Sequence, residues 1–256
     1  MKIGFFDSGI GGLSVLHLAM RMLPTQEFVY YADEKHVPYG TKTKEEVLKY
    51  TDEAVSFMIS KGVEAIVIAC NTATSVAIND IRKKYNIPII GMEPAVKKAI
   101  ESNADKKVLV VATPITVSGQ KMKGLIERVD KDHRSDLLPL PRLVTFAEEE
   151  KFDSKEVEKY LKDSFAELNL QDYSSLVLGC THFIYFKDCF RKVLPDSVEL
   201  IDGNLGTVNR LKSELGIVPK TSNTKANVEY YFSGKRTTKE QNNRIVKYDE
   251  QLDRLS

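Results

Sequence analysis

The stretch Ala65-Ile66-Val67-Ile68-Ala69-Cys70-Asn71-Thr72 decides how this chain is read. An apolar run with β-branched residues stops abruptly at a thiol, an amide and a hydroxyl. That pattern describes a buried parallel strand that delivers Cys70 to a sheet edge. A second copy follows at Ser175-Leu176-Val177-Leu178-Gly179-Cys180-Thr181-His182. Two strands, each ending in a cysteine followed by polar residues, read as two halves of one site.

Each copy closes a β-α-β-α-β pattern. In the first, Lys2 to Phe6 is a strand, Asp7-Ser8-Gly9-Ile10-Gly11-Gly12 a glycine-rich turn, and Leu13 to Leu23 a helix closed by Pro24. Phe28 to Ala32 is the second strand, ending at Asp33, and the loop His36-Val37-Pro38-Tyr39-Gly40 follows. Thr43 with Glu46 three residues on signals a capping box and a helix to about Ser60. Beyond Cys70 come a helix to about Tyr85 and a short strand, Ile87 to Ile90. In the second copy, Lys107 to Ala112 is a strand, Thr113 to Thr116 a turn and Gln120 to Val129 part of a helix. Arg142 to Phe146 reads as a strand, Ser154 to Phe165 as a helix and Leu176 to Gly179 as the last strand. Cys70 lies 68 residues after Lys2 and Cys180 lies 73 after Lys107, a near-match that argues for internal duplication.

Alternating strands and helices imply parallel sheets with helices on both faces. Ligands in such sheets bind outside the carboxyl ends of the strands. Cys70, Cys180, Asp7, Ser8, Asp33 and Thr113 to Thr116 all fall there. The expected fold is therefore α/β, with two pseudo-symmetric domains, each a mostly parallel sheet flanked by helices, and an active site in the cleft between them. Boundaries fall near Met92 and Gly206. Beyond Gly206, Val228 to Phe232 reads as a strand and Thr237 to Leu255 as a helix with a thin apolar stripe of Ile245, Tyr248 and Leu252.

The 256 residues are 42% hydrophobic and 29% charged with a net charge of +1, which suits a globular chain with a full core and gives no nucleic-acid footprint. No apolar run reaches membrane-spanning length and the start lacks a signal-peptide core, so the expected location is the cytoplasm. There a structural disulfide is not expected. Metal finds no support, because no C-x-x-C occurs and His17, His36, His133 and His182 do not cluster at ligand spacings. Free cysteines are usually inert core residues, and Cys189, among Phe186, Phe190 and Val193, is read so. The matched setting of Cys70 and Cys180 favours catalysis instead. His182, two residues after Cys180, is a candidate proton partner. Asp7 and Ser8 also fit as caps of the next helix. A dinucleotide loop is a weaker option: Gly9-Ile10-Gly11 begins the motif and Asp33 stands at the distance of a ribose-binding acid, but Ser14 replaces the third glycine.

The motifs Phe6-Asp7-Ser8-Gly9-Ile10-Gly11-Gly12-Leu13-Ser14, Val37-Pro38-Tyr39-Gly40, Ala69-Cys70-Asn71-Thr72-Ala73 and Gly179-Cys180-Thr181-His182-Phe183 resemble those of the glutamate racemase family, within the aspartate/glutamate racemase group. They run from Phe6 to Phe183, in the family's order. The resemblance implies two α/β domains, no cofactor or metal, and D-glutamate supply for peptidoglycan. It sends the C-terminal part back to the first domain, giving domains of residues 1–92 with 207–256 and 93–206. The family's acidic residue falls in Glu148-Glu149-Glu150. Glu150 is taken for it, with Glu148 and Glu149 as alternatives.

Inverting an α-carbon needs a base on one face and an acid on the other, and a thiolate–thiol pair serves both roles. Cys70 and Cys180 take them, with Asp7 as partner of Cys70 and His182, with Glu150, as partner of Cys180. Ser8, Asn71, Thr72, Thr116 and Thr181 are candidates for binding the substrate carboxylates, and Tyr39 and Gly40 for closing one side. The resemblance implies that Cys70 deprotonates D-glutamate and Cys180 L-glutamate. An aspartate racemase, or a small-molecule binding protein with structural thiols, stands as the alternative. A homodimer is expected from the unplaced stripe of Ile245, Tyr248 and Leu252 and from family habit.

Overall fold

A computed structural model describes residues 1–102, 105–218 and 226–255. The described residues form ten strands: β1 Lys2–Asp7, β2 Glu27–Ala32, β3 Ala65–Ile68, β4 Ile89–Gly91, β5 Lys107–Ala112, β6 Ser135–Pro139, β7 Tyr173–Leu178, β8 Glu199–Asp202, β9 Asn227–Phe232 and β10 Lys235–Arg236. Eleven α-helices join them: α1 Leu13–Met22, α2 Lys44–Ser60, α3 Asn71–Lys84, α4 Val96–Ser102, α5 Pro114–Ser118, α6 Gln120–Val129, α7 Arg142–Glu148, α8 Lys155–Phe165, α9 Lys187–Val193, α10 Asn204–Glu214 and α11 Lys239–Arg254. None of the helices is long and apolar enough to cross a membrane.

One sheet has the order β10-β9-β2-β1-β3-β4 and the other β6-β5-β7-β8. Apart from the antiparallel β10, every pairing is parallel. The sub-orders β2-β1-β3-β4 and β6-β5-β7-β8 are the same, which is the pseudo-symmetry expected from the spacing of the two cysteines. In each sheet the chain leaves the first strand to one side and later returns on the other. The switch point lies between β1 and β3 in one sheet and between β5 and β7 in the other, where ligand crevices open. Cys70 follows β3 and Cys180 follows β7.

Two local readings are corrected. Arg142 to Phe146 is helical: Leu143, Val144, Phe146 and Ala147 are its buried residues, a helical spacing, and Pro141 caps its start. The strand of that region is instead β6, which no sequence pattern announced because it is a half-exposed edge strand ending in a proline. Thr113 to Thr116 is not a plain turn; Pro114 opens α5, as proline does at a first helical position. The capping box of α2 is present, with Thr43 Oγ1 accepting from Glu46 N–H and the Glu46 carboxylate accepting from Thr43 N–H.

The stripe on α11 is not left for a second copy. Ile245, Tyr248 and Leu252 are buried in the same apolar cluster as Phe5, Leu16, Leu176 and Phe183. The Tyr248 ring stands edge-on to Tyr185 and Phe152, with centroids 5.3 and 5.2 Å away. This helix therefore seals the core, and the sequence-based motive for a dimer lapses. Ile245→Ala should cost about 2–5 kcal/mol in denaturant unfolding, as truncation in a packed core does. An exposed stripe would give a change below ~0.5 kcal/mol.

Candidate active site

The glycine-rich turn after β1 brings the two sheets together. A Cβ on Gly11 would collide with Thr181 Oγ1 and lie 2.5 Å from His182 Nδ1. One on Gly12 would lie 2.6 Å from Asp7 Cβ, and one on Gly9 would collide with the Glu148 carboxylate. Gly11 lets this loop press against the end of β7, Gly9 against the end of α7, and Gly12 against Asp7 and Ala69. They are not a phosphate cradle. Tyr30 donates its hydroxyl to Gly9 O at 2.7 Å and fixes the loop from below. Asp33, the ribose-binding acid of the dinucleotide reading, is buried and already receives Tyr39 Oη at 2.7 Å, His36 Nδ1 at 2.8 Å and Ser233 Oγ at 3.3 Å. The dinucleotide reading is withdrawn on these two observations.

Cys70 sits at the N-cap of α3, 5% exposed. Its Sγ receives the Ala73 N–H at 3.4 Å and lies 3.6 Å from Ser8 Oγ. Burial first, then the charge of Asp7, push its thiol up to about 12, against the Ala73 and Ser8 contacts that favour the thiolate. Asp7 is fully buried and spends its oxygens on Gly9 N–H at 2.9 Å and Thr181 Oγ1 at 3.0 Å. Burial raises its pKa; His182 and these two hydrogen bonds work the other way. Asp7 thus acts on Cys70 through its field and ties β1 to the end of β7.

Cys180 follows β7 and is 6% exposed. Its Sγ lies 3.8 Å from His182 Nδ1, and His182 Nε2 lies 2.8 Å from Glu148 Oε1. Burial alone would lower the His182 pKa, but Cys180 and Glu148 outweigh it and hold it well above the usual histidine range. The acidic residue on His182 is Glu148, and Glu150 is placed elsewhere. Glu150 has φ 58°, a left-handed backbone that turns the chain away after α7. Its carboxylate meets Arg244 Nε at 3.1 Å and Lys247 Nζ at 2.8 Å, while Glu149 pairs with Lys151. The choice of Glu150 is corrected accordingly. Three adjacent glutamates give no periodic cue, and only the turn at the helix end separates them.

Hydroxyls from the two sheets' strand ends meet near Cys70. Thr72 Oγ1 lies 2.9 Å from Thr113 Oγ1 and 3.4 Å from Thr116 Oγ1, and Thr113 donates to Thr116 at 2.9 Å. Thr113, at the end of β5, stands with Thr72 and Thr116 in this set, beyond the carboxylate-binding residues that the sequence suggests. Asn71 Nδ2 donates to Met92 O at 3.3 Å, and its buried Oδ1 has no partner among the described residues. Gly40 lets its loop approach Thr113, since a Cβ there would lie 2.7 Å from Thr113 Cβ. Tyr39 lines this side, but its hydroxyl is committed to Asp33. The structure therefore gathers Cys70, Ser8, Asp7, Asn71, Thr72, Thr116, Thr181, Cys180 and His182 about the facing strand ends.

Residues 14–211 match the family model described as Asp/Glu/Hydantoin racemase. The chain belongs to that family. It is 58% identical to the glutamate racemase of Campylobacter curvus over 239 residues, covering 91% of this chain and 90% of the relative. It is 53% identical to that of Lachnospira eligens, over 100% of this chain and 99% of the relative. The crystal structure of glutamate racemase from Campylobacter jejuni superposes with a TM-score of 0.83 at 29% identity, covering 98% of each chain. That crystal structure shares the α/β fold of this racemase-family chain.

Proposed function

We propose that this chain is a glutamate racemase that inverts the α-carbon with two thiols and no cofactor. The observation that carries the proposal is the pairing of Cys70 and Cys180, each buried, each directly after a switch-point strand and each beside polar groups able to handle a proton. In one direction Cys70 removes the α-proton of D-glutamate as thiolate and Cys180 delivers a proton to the opposite face. In the other the roles exchange. Ser8 and the Ala73 amide stabilise negative charge on Cys70 Sγ, and the His182 imidazole exchanges a proton with Cys180. The carbanion between them needs fixed donors. The hydroxyls of Thr72, Thr116 and Thr181 and the opening amides of α3, which the helix itself leaves unpaired, supply them. The unpaired Asn71 Oδ1 suits a substrate ammonium.

The reading includes two domains, residues 1–92 with 207–256 and 93–206; residues 219–225 and 256 of the first and 103–104 of the second lie outside the described ones. It also includes a cytoplasmic role in supplying D-glutamate for peptidoglycan and a homodimer, the last supported by family resemblance alone. A monomeric mass by light scattering at micromolar concentration overturns the dimer. The activity is tested by following optical rotation of D-glutamate with metal-free protein and no added cofactor. Decay of rotation to zero is expected. A constant signal overturns the proposal, and faster decay with D-aspartate moves the substrate to aspartate.

A further inference from the structure

The C-terminal helix α11 reaches the candidate site through one side chain. The Arg244 guanidinium donates from Nη2 to Glu148 O at 3.1 Å, from Nε to Glu150 Oε1 at 3.1 Å and from Nη1 to Glu34 Oε1 at 2.7 Å. Its Nη2 also lies 4.0 Å from Glu148 Oε2. Three arms of one planar fork are thus fixed at once, which a lysine cannot reproduce. Glu148 ends α7, where backbone carbonyls lack helical partners. Tyr248, one turn along α11, donates its hydroxyl to Ala147 O at 2.8 Å at the same helix end. On the far side Glu148 Oε1 takes Ile10 N–H at 3.0 Å and His182 Nε2 at 2.8 Å. The result is a continuous chain, Arg244 to Glu148 to His182 to Cys180.

We propose that Arg244 is a positioning residue of the candidate site: from outside it, Arg244 holds Glu148 on His182 and thereby sets the proton behaviour of the Cys180 side. The proposal rests on the two-thiol reading above. An ion pair of ordinary surface kind would contribute little and do nothing to His182. The Lys247–Glu150 pair is such a pair on the same helix, with Lys247 Nζ 2.8 Å from Glu150 and its side chain 61% exposed. The charged or titratable groups around His182 are Cys180, Glu148 and Asp7; those around Glu148 are His182, Arg244, Asp7, Tyr30, Tyr185 and Tyr248. Of these, Arg244 is the one whose hydrogen bond fixes the Glu148 backbone from α11 with a full charge.

The sign follows from the geometry. Glu148 stabilises the His182 imidazolium, so a Glu148 released from Arg244 lets His182 lose its proton at lower pH; the guanidinium's own charge, which opposes the imidazolium, is neutralised by the Glu34 and Glu150 carboxylates and is the smaller effect. The test compares pH profiles of kcat/KM for wild type, R244M, R244K and K247M. The expected result is that the alkaline limb of R244M moves down by about one pH unit, a tenfold change in the acid constant. R244K should recover part of it, and K247M should coincide with wild type. A limb unmoved in R244M, or moved equally in K247M, overturns the proposal even if activity falls, because a structural role lowers the plateau without shifting the limb. If R244M does not fold, Y248F removes one hydroxyl from the same helix end and should move the limb the same way. An NMR titration of the His182 imidazole nitrogens in the free proteins reads the same shift without turnover. A wild type that titrates as expected yet does not racemise therefore overturns the two-thiol reading and leaves the positioning of Glu148 standing.

Discussion

Cys70→Ala and Cys180→Ala should each lower racemisation at least about 10³-fold, the order expected when an acid–base group is lost from a two-base inversion. A carbanion formed on one face then finds no acid on the other. The remaining thiol can still take and return a proton on its own side. In heavy water Cys180→Ala should exchange the α-proton of D-glutamate without forming L-glutamate, and Cys70→Ala should exchange only L-glutamate. The preference depends on which face of the α-carbon each thiol meets, an assignment carried by the family resemblance; Cys70 is held by Ser8 and Ala73, whereas Cys180 has His182. The two thiols act as one unit, so the double variant should lose little more than either single one. Proton NMR of the α-position measures exchange, and optical rotation measures inversion. Normal inversion by either single variant defeats the two-base mechanism. Exchange with the opposite preference keeps the mechanism and reverses the faces.

The second large effect separates two neighbours in one acidic run. Glu148→Gln should lower kcat/KM roughly 10²-fold, at the low end for an acid–base system that has lost its tuning group. Glu150→Gln should stay within about threefold of wild type. Glutamine at 148 keeps an oxygen for Ile10 N–H but loses the charge that supports the His182 imidazolium. His182 is held charged by its partners, so its protonated form is present below a raised pKa and is lost as pH rises through it. Removing Glu148 lowers that pKa, so the loss in Glu148→Gln should deepen towards alkaline pH. Glu150 lies on the far side of the turn against Arg244 and Lys247, where losing its charge alters a partly exposed ion pair. Equal losses in both variants, or the larger loss at 150, would show that this turn does not hold in solution.

The sequence by itself determined the strands that matter and what stands at their ends. Apolar runs of four to six residues with helices between them admit little besides parallel sheets, and a thiol at the end of such a run is put at a crevice by that topology. The duplication was legible because each half had to build the same order of strands, and the observed orders agree. Local rules also fixed the start of α2, whose cap is made by residues three apart. Tertiary structure decided whatever depended on partners distant in the chain. Edge strand β6 carries no periodic signal, because neither of its faces is fully buried: four residues in a row are half-buried and the last is exposed. The α11 stripe looked unpartnered because Tyr185 and Phe152, which cover it, lie some sixty to a hundred residues away. Glu148 and Glu150 are chemically identical in sequence. They part only where the left-handed turn at Glu150 sends one carboxylate to His182 and the other to Arg244, which is a matter of contacts between α7, α11 and the end of β7.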